Sequence, residues 1–308
     1  MSWSEDRLHR WLARAQRPAS LAGSRGHDAA VLRSLEGRLV TCVDQTLEGV
    51  HFDRATAPAR AGRKAAARAL SDLAACAARP RALLLGLCAP PERDEAWLRA
   101  AIGGVRALGA EHGAELVGGD LCCAPGPVSL SVSALGELPG RRRPPGRDRA
   151  RPGQVVVVTG ALGGSGLGRH LSIVPRLREG RRLFELGASA LMDVSDGLAW
   201  DLFRLARASG VCIELERVPL HRDAYRAARA DGRAPEWHAL HDGEDHELIA
   251  TLSAAALRRA LAAAAGELSG LEPIGRVRAG CGLRLPQQLR GARGRRWSPG
   301  EGGWRHGD

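Results

Sequence analysis

A chain of 308 residues with 44% hydrophobic and 26% charged side chains can bury a substantial core, as two domains of ordinary size or one large one, which excludes a disordered polymer. No apolar run reaches the roughly 18 residues that a membrane-spanning helix needs. Met1-Ser2-Trp3-Ser4-Glu5-Asp6 has no cationic stretch leading into an apolar one, so no secretory signal is expected. The formal charge of +11 points first to nucleic acid, but Lys64 is the sole lysine and the other 44 of the 45 basic residues are arginine. With a single tyrosine, this reads as a GC-rich coding bias rather than a phosphate-binding face, and no nucleic-acid partner is expected. The seven cysteines form no C-x-x-C pair and several lie in apolar runs, which argues against zinc or a disulfide framework and for a reducing cytoplasm.

In chain order, residues 4–16 read as an amphipathic helix with Leu8, Trp11, Leu12 and Ala15 on one face. Leu39 to Val43 and Leu83 to Cys88 read as strands, with helices at Arg60 to Ala78 and Glu92 to His112. Leu116-Val117 runs into Gly118-Gly119-Asp120, and Val128 to Leu135 alternates apolar residues with serine as a half-buried strand does. The arginine- and proline-rich stretch 139–152 is the candidate linker by composition. Val155 to Thr159 is a buried strand, followed by the glycine-rich Gly163 to Gly168. Ala190-Leu191-Met192 leads into Asp193-Val194-Ser195-Asp196-Gly197, with a helix over Leu198 to Ala208. Strands are expected at Val211 to Leu215, Glu247 to Leu252 and Ile274 to Val277, a helix at 254–265, and loose order over 290–308. The pattern is α/β of the α+β kind, with two mixed halves, divided as 1–146, 147–289 and a Gly/Arg-rich tail 290–308.

Aspartate placement is the informative feature. Asp28, Asp44, Asp72, Asp120, Asp193 and Asp196 each stand beside an apolar run or a glycine, where an unpaired carboxylate is costly and strand-forming tendency is low. A shared divalent cation would compensate, and Mg²⁺ takes a few carboxylates together with water and phosphate oxygens. Each motif also has a plainer reading: Ser71-Asp72 as a polar pair on a solvated helix face, Gly118-Gly119-Asp120 as a turn, Ser195 or Asp196 as a helix cap, His51 as a satisfied surface histidine. Gly163 to Gly168 fits a dinucleotide fingerprint poorly, because no acidic residue follows at the required distance, and no P-loop consensus exists.

Taken in order, Gly26-His27-Asp28-Ala29-Ala30-Val31, Asp44 with Glu48-Gly49-Val50-His51-Phe52, Ser71-Asp72-Leu73-Ala74-Ala75, Gly118-Gly119-Asp120, Asp193-Val194-Ser195-Asp196-Gly197-Leu198 and Gly243-Glu244-Asp245-His246-Glu247-Leu248 resemble the thiamine-monophosphate kinase family. That family lies in the aminoimidazole-ribonucleotide synthetase-like superfamily. The resemblance spans roughly residues 20–280. It implies ATP-dependent phosphorylation of thiamine monophosphate to thiamine diphosphate, and a two-domain synthetase-like fold whose N-terminal mixed-sheet domain forms a homodimer and whose C-terminal domain is α/β. It further implies Mg²⁺ at Asp28, Asp44, Asp72, Asp120, Asp193 and Asp196, ATP contacts at Gly119, Arg147 and Ser195, and thiamine-monophosphate contacts at His51, Glu244 and Trp304. The family's first double aspartate reads His27-Asp28 here, its threonine-rich stretch reads Cys42-Val43-Asp44-Gln45, and its tyrosine after the acidic pair is His246.

The chemistry is consistent with that residue set. Phosphoryl transfer demands positioning and charge neutralisation more than covalent help. A phosphate-monoester acceptor is already anionic, so no side chain is assigned as a catalytic base. Two other activities share these motifs: a related ATP-dependent synthetase with another small substrate, and a nucleotide-binding paralogue with weak turnover.

Overall fold

The computed structural model describes residues 3–14, 19, 29–30, 32–33, 36–263, 266–286, 297–298 and 302. The chain divides into two compact units, Met1–Leu73 with Ala78–Arg141, and Ala74–Ala77 with Arg142–Asp308. The first contains helix α1 (Glu5–Ala13), strand β1 (Arg38–Leu47), α2 (Pro58–Ala75), β2 (Arg79–Ala89), α3 (Glu95–Glu111), β3 (Glu115–Cys123) and β4 (Ser129–Leu138). Its sheet runs β1-β4-β2-β3, with β2 and β3 parallel and the other pairs antiparallel. On β4, Leu130, Val132 and Ala134 are fully buried while the alternating serines are only partly so, which is the expected two-residue period. Each such buried leucine or valine contributes roughly 1.5–3 kcal/mol.

Helix α3 buries Leu98, Ala101, Ile102, Val105 and Leu108, a single stripe at helical spacing. The side chain of Asp94 caps its start by accepting from the Ala96 amide at 3.0 Å, so the helix begins later than the expected Glu92. Helices α2 and α3 touch backbone to backbone. A Cβ on Gly62 would stand 1.9 Å from the Ala101 oxygen, and one on Gly104 would stand 2.1 Å from that of Ala59. Only glycine permits this approach at either point.

Three further expectations change in this unit. Strand β1 continues through Asp44 and Gln45 to Leu47, because pairing with β4 offsets the poor strand tendency of aspartate. Helix α2 stops at Ala75 rather than Ala78: Ala77 adopts φ 56°, and the Ala77 and Ala78 amides donate back to Ala74 and Leu73. Gly118-Gly119-Asp120 is not a turn but part of β3, paired with Leu84, Leu85 and Gly86.

The second unit contains β5 (Val155–Val158), α4 (Leu177–Leu186), β6 (Leu191–Asp193), α5 (Leu198–Ser209), β7 (Cys212–Leu215), α6 (Arg222–Asp231), α7 (Pro235–His241), β8 (Leu248–Leu252), α8 (Ala254–Ala262), β9 (Glu272–Arg278) and β10 (Gly282–Arg284). The sheet order is β10-β7-β9-β5-β8-β6. Val156, Val158, Val194, Leu202, Ile249 and Ile274 sit at the centre of its core. The stretch read by composition as the linker, 139–152, contains the division between the units at Arg141, and its later part is attached here: Arg142 donates to the carbonyls of Phe184 and Ala188 and lies over the Phe184 ring, and Ala150 is buried. In the segment expected to be loosely ordered, Trp297 is a core residue, 3% exposed, with Trp200 and Phe203 rings at 5.5 and 5.4 Å.

Candidate functional site

In the first unit Asp44, His51 and Asp72 lie on β1, on the turn that follows it and on α2, whereas Gly119 and Asp120 lie on β3, separated from β1 by β4 and β2. Lys64, Arg68 and Asp72 lie four residues apart on one face of α2. Arg68 forms a two-point ion pair with Asp44 of β1, at 2.9 and 3.1 Å, between side chains 14% and 21% exposed. Cys42, two residues earlier on β1, donates to the Ala69 carbonyl at 3.2 Å. Asp120 is on β3 beside Gly119, where an added Cβ would meet the Leu85 oxygen at 1.9 Å. Glycine is required there to let the two strands pair.

The turn Glu48–Phe52 is held from several sides. His51 donates its backbone N–H to Leu47, and its Nδ1 accepts from the Leu47 amide at 3.0 Å, which places the proton of the neutral ring on Nε2. Lys64 donates from Nζ to the His51 carbonyl at 2.5 Å. Glu48 accepts from Arg93 at 2.5 and 2.6 Å and from the Val128 amide at 3.0 Å. Burial pushes the Glu48 carboxyl upward, but the Val128 amide and the Arg93 and Arg54 charges outweigh it and hold the group below its ordinary range.

In the second unit the segments Asp193–Gly197 and Gly243–Glu247 lie side by side. The Glu244 amide donates to Ser195, the His246 amide to Val194 and the Val194 amide to Glu247, at 2.7, 2.8 and 2.8 Å. Glu244 and His246 adopt φ of 52° and 51°, a left-handed conformation that costs energy for residues with a Cβ. Asp193 ends β6 and accepts from, or shares a proton with, Nδ1 of the buried His246 at 3.1 Å. Asp196 is paired with Arg204 of α5, whose guanidinium also lies 5.0 Å from the Trp200 ring. Asp201, in the first turn of α5, accepts the amides of both Ser195 and Asp196 at 3.0 Å. Burial, reinforced by the charges of Asp196 and Asp193, pushes the Asp201 carboxyl well above its ordinary value.

The glycine-rich turn after β5 has its amides already engaged by protein carboxylates. Gly163 donates to Asp245 at 3.1 Å and Gly164 to Asp242 at 2.7 Å. Burial raises Asp245 to about 6 against the opposing pull of Arg169 at 2.6 Å and the Gly163 amide. These bonds engage the Gly163 and Gly164 amides without a dinucleotide. Beside them, a cavity of about 340 Å³ is lined by Thr159, Arg169, Arg176, His221, Asp245 and Glu247. Thr159 donates to Glu247 at 2.6 Å, and Arg176 clasps the same carboxylate at 2.5 and 2.9 Å. Sequence reasoning missed this trio, whose members stand far apart in the chain and share no motif.

The family "AIR synthase related protein, N-terminal domain" matches residues 26–138. A thiamine-monophosphate kinase of Mycobacterium tuberculosis is 38% identical over 261 residues, covering 78% of this chain and 78% of that protein. Another, from Rhodopirellula baltica, is 39% identical over 216 residues, covering 69% of this chain and 67% of its own. This chain belongs to the thiamine-monophosphate kinase family. It is therefore a phosphotransferase, as the motif order implied. Its mixed α/β fold is likewise that of the family: the thiamine-monophosphate kinase of Stenotrophomonas maltophilia K279a superposes with a TM-score of 0.76 at 34% identity, covering 92% of this chain and 97% of that one. The complex of AaThiL with AMPPCP and TMP gives a TM-score of 0.77 at 28% identity, covering 98% and 95%. Escherichia coli HypE, a hydrogenase maturation protein, shares the fold at 20% identity with a TM-score of 0.77.

Within this thiamine-monophosphate kinase relative, Asp28 and Trp304 lie outside the described residues. Arg147 is exposed, and its carbonyl accepts from Ser209 at 2.7 Å. Among the described residues no group of three or more His, Cys, Asp or Glu side chains is arranged to hold a metal ion unaided. Mg²⁺ binds one or two carboxylates and keeps water and substrate phosphate as its other ligands. The donors on offer at Asp44, Asp72, Asp120, Asp193 and Asp196 are carboxylate oxygens, the hard type Mg²⁺ prefers.

Proposed function

We propose that this chain transfers the γ-phosphoryl group of ATP to the phosphate of thiamine monophosphate, giving thiamine diphosphate and ADP. The observation that carries the reading is the strapping of Asp193–Gly197 to Gly243–Glu247 by backbone hydrogen bonds. It runs the segment that carries Asp193 and Asp196, the proposed metal carboxylates, alongside the one that carries Glu244, the proposed acceptor contact, whose carboxylate stands 3.3 Å from Nδ1 of His170. Asp28, Asp44, Asp72 and Asp120 are the Mg²⁺ ligands proposed in the first unit, and the proposed ATP contacts are Gly119 there and Arg147 and Ser195 in the second. Mg²⁺, when bound, would neutralise the phosphate charge that otherwise keeps the two anionic substrates apart.

This chain's own residues would supply the remaining requirements. His51, with its proton on Nε2, donates to the acceptor phosphate. The Glu244 carboxylate accepts from the aminopyrimidine, and Trp304 covers the ring. The acceptor oxygen is already deprotonated, so no base need remove a proton from it. Arg68 and Arg204, now paired with Asp44 and Asp196, must yield those carboxylates to the metal.

The same proposal extends to organisation. Residues 1–146 bind ATP and metal, 147–289 form the C-terminal domain, and 290–308 the tail. The chain works as a cytoplasmic homodimer. The first unit offers β1 for this role, with Leu39 57% and Val43 67% exposed on its open face. The test is whether the purified chain forms ADP only when thiamine monophosphate is added. ADP formation indifferent to thiamine monophosphate would overturn the substrate assignment.

A further inference from the structure

We infer that Lys64 is a positioning residue that fixes the acceptor-binding turn through the His51 carbonyl, and that its place demands an ammonium rather than a guanidinium. The inference rests on the proposed contact between His51 and thiamine monophosphate. It begins with composition. In a chain where 44 of 45 basic residues are arginine, position 64 alone has lysine. The structure supplies a physical reason. Lys64 is 0% exposed, and its Nζ reaches the His51 oxygen at 2.5 Å. An ammonium is compact and can turn its donors toward one carbonyl, whereas a guanidinium is a rigid plane of five donors that needs room and partners. A fully buried site leaves little room for the larger group.

Helix α2 cannot draw back to make that room. Its backbone is in contact with α3 at Gly62 and Gly104, where a Cβ would meet carbonyl oxygens at 1.9 and 2.1 Å. Arg63, next to Lys64, adds a two-point ion pair to Glu111 at 2.6 and 2.8 Å. The turn is equally restrained at its other end. Glu48 is clasped by Arg93 and the Val128 amide, Gly49 donates to the Phe52 carbonyl at 2.8 Å, and Phe52 stacks on Trp97. The bond from Lys64 to the His51 carbonyl thus ties the turn to α2. Loss of that donor would loosen the turn at His51 and, although the Leu47 amide still holds Nδ1, shift Nε2 relative to the acceptor phosphate.

The experiment uses the full chain with Lys64→Met, Lys64→Arg, His51→Ala and the double variant Lys64→Met/His51→Ala. Binding of thiamine monophosphate is measured by calorimetry with Mg²⁺ and a non-hydrolysable ATP analogue, alongside kcat and both KM values. Each Lys64 variant should weaken thiamine monophosphate about tenfold, the scale of one charge-assisted hydrogen bond. The ATP constant should stay within about twofold, and the Lys64→Met effect should vanish when His51 is already alanine. Native affinity in Lys64→Arg overturns the inference, as does an effect undiminished in the His51→Ala background or shared equally with ATP. If His51→Ala alone leaves thiamine monophosphate unaffected, it is the His51 assignment that fails, and the inference falls with it. Should Lys64→Met not fold, amine acylation of the wild-type protein decides the matter. Lys64 should react only through transient opening of the turn, and thiamine monophosphate should slow that reaction while the ATP analogue alone should not. A labelling rate indifferent to thiamine monophosphate would contradict the inference.

Discussion

Removing the carboxylate of Asp201 separates its structural role from its charge. One oxygen of this buried side chain accepts the amides of both Ser195 and Asp196 at 3.0 Å. Asp201→Ala leaves both N–H groups without that acceptor. At roughly 1–3 kcal/mol for each buried group, discounted because Ser195 and Asp196 are only half buried, the expected loss is about 2–4 kcal/mol. Asp201→Asn keeps an oxygen in the same place and discards the buried charge. The sign of the pH effect follows from linkage. The folded pKa is raised above the ordinary 3.8, so the native state holds the proton more tightly, and stability falls as pH rises from 3.8 through the folded value. Asp201→Asn should therefore match or exceed wild-type stability at neutral pH. Urea denaturation of the three proteins, with steady-state kinetics on each, provides the comparison. The reasoning is refuted if Asn is as damaging as Ala, or if Ala lies within about 0.5 kcal/mol of wild type, the usual range for an inconsequential surface change.

Asp245 offers a second test by pH. With its folded pKa at about 6 against an ordinary 3.8, wild-type stability should decline by roughly 3 kcal/mol in all as pH rises from below 3.8 to above 6, and Asp245→Asn should flatten the profile in urea titrations over that span. Trp297→Ala should cost about 3–5 kcal/mol, because the ring packs on Trp200 and Phe203 in the core; an unchanged melting temperature would show that the tail does not contribute. Asp72→Asn and Asp196→Asn should each lower kcat by roughly two orders of magnitude or more while circular dichroism stays native. Near-normal rates in both at limiting Mg²⁺ would remove the metal assignment.

Most of the strand framework was legible in the sequence, for clear reasons. Val155 to Val158 is an unbroken β-branched run, and β4 alternates leucine, valine and alanine with serine. What escaped was where a distant partner decides the outcome. Strand β1 runs through Asp44 because β4 pairs with it, and the expected end of α2 at Ala78 moves to Ala75 because alanine takes a conformation usually reserved for glycine. Helix α4 was missed altogether: its apolar stripe of Leu177, Leu183, Phe184 and Leu186 is interrupted by Gly180 and flanked by arginines that obscure the period. At the site, local motifs marked the aspartates, since each stands next to glycine or an apolar run. Their counter-charges could not be marked the same way. Arg68 and Arg204 resemble dozens of other arginines until the fold sets them against Asp44 and Asp196.

The central claim is that these carboxylates hold divalent cations which join two anionic substrates. A crystal structure of the chain with Mn²⁺, a non-hydrolysable ATP analogue and thiamine monophosphate tests it most directly, because manganese is identified by its anomalous scattering. The account predicts anomalous peaks within ligand distance of Asp44, Asp72, Asp193 and Asp196, with each metal also bound to phosphate oxygen and with His51 and Glu244 in contact with thiamine monophosphate. Peaks remote from all of these aspartates, or thiamine monophosphate bound without touching either His51 or Glu244, would contradict it.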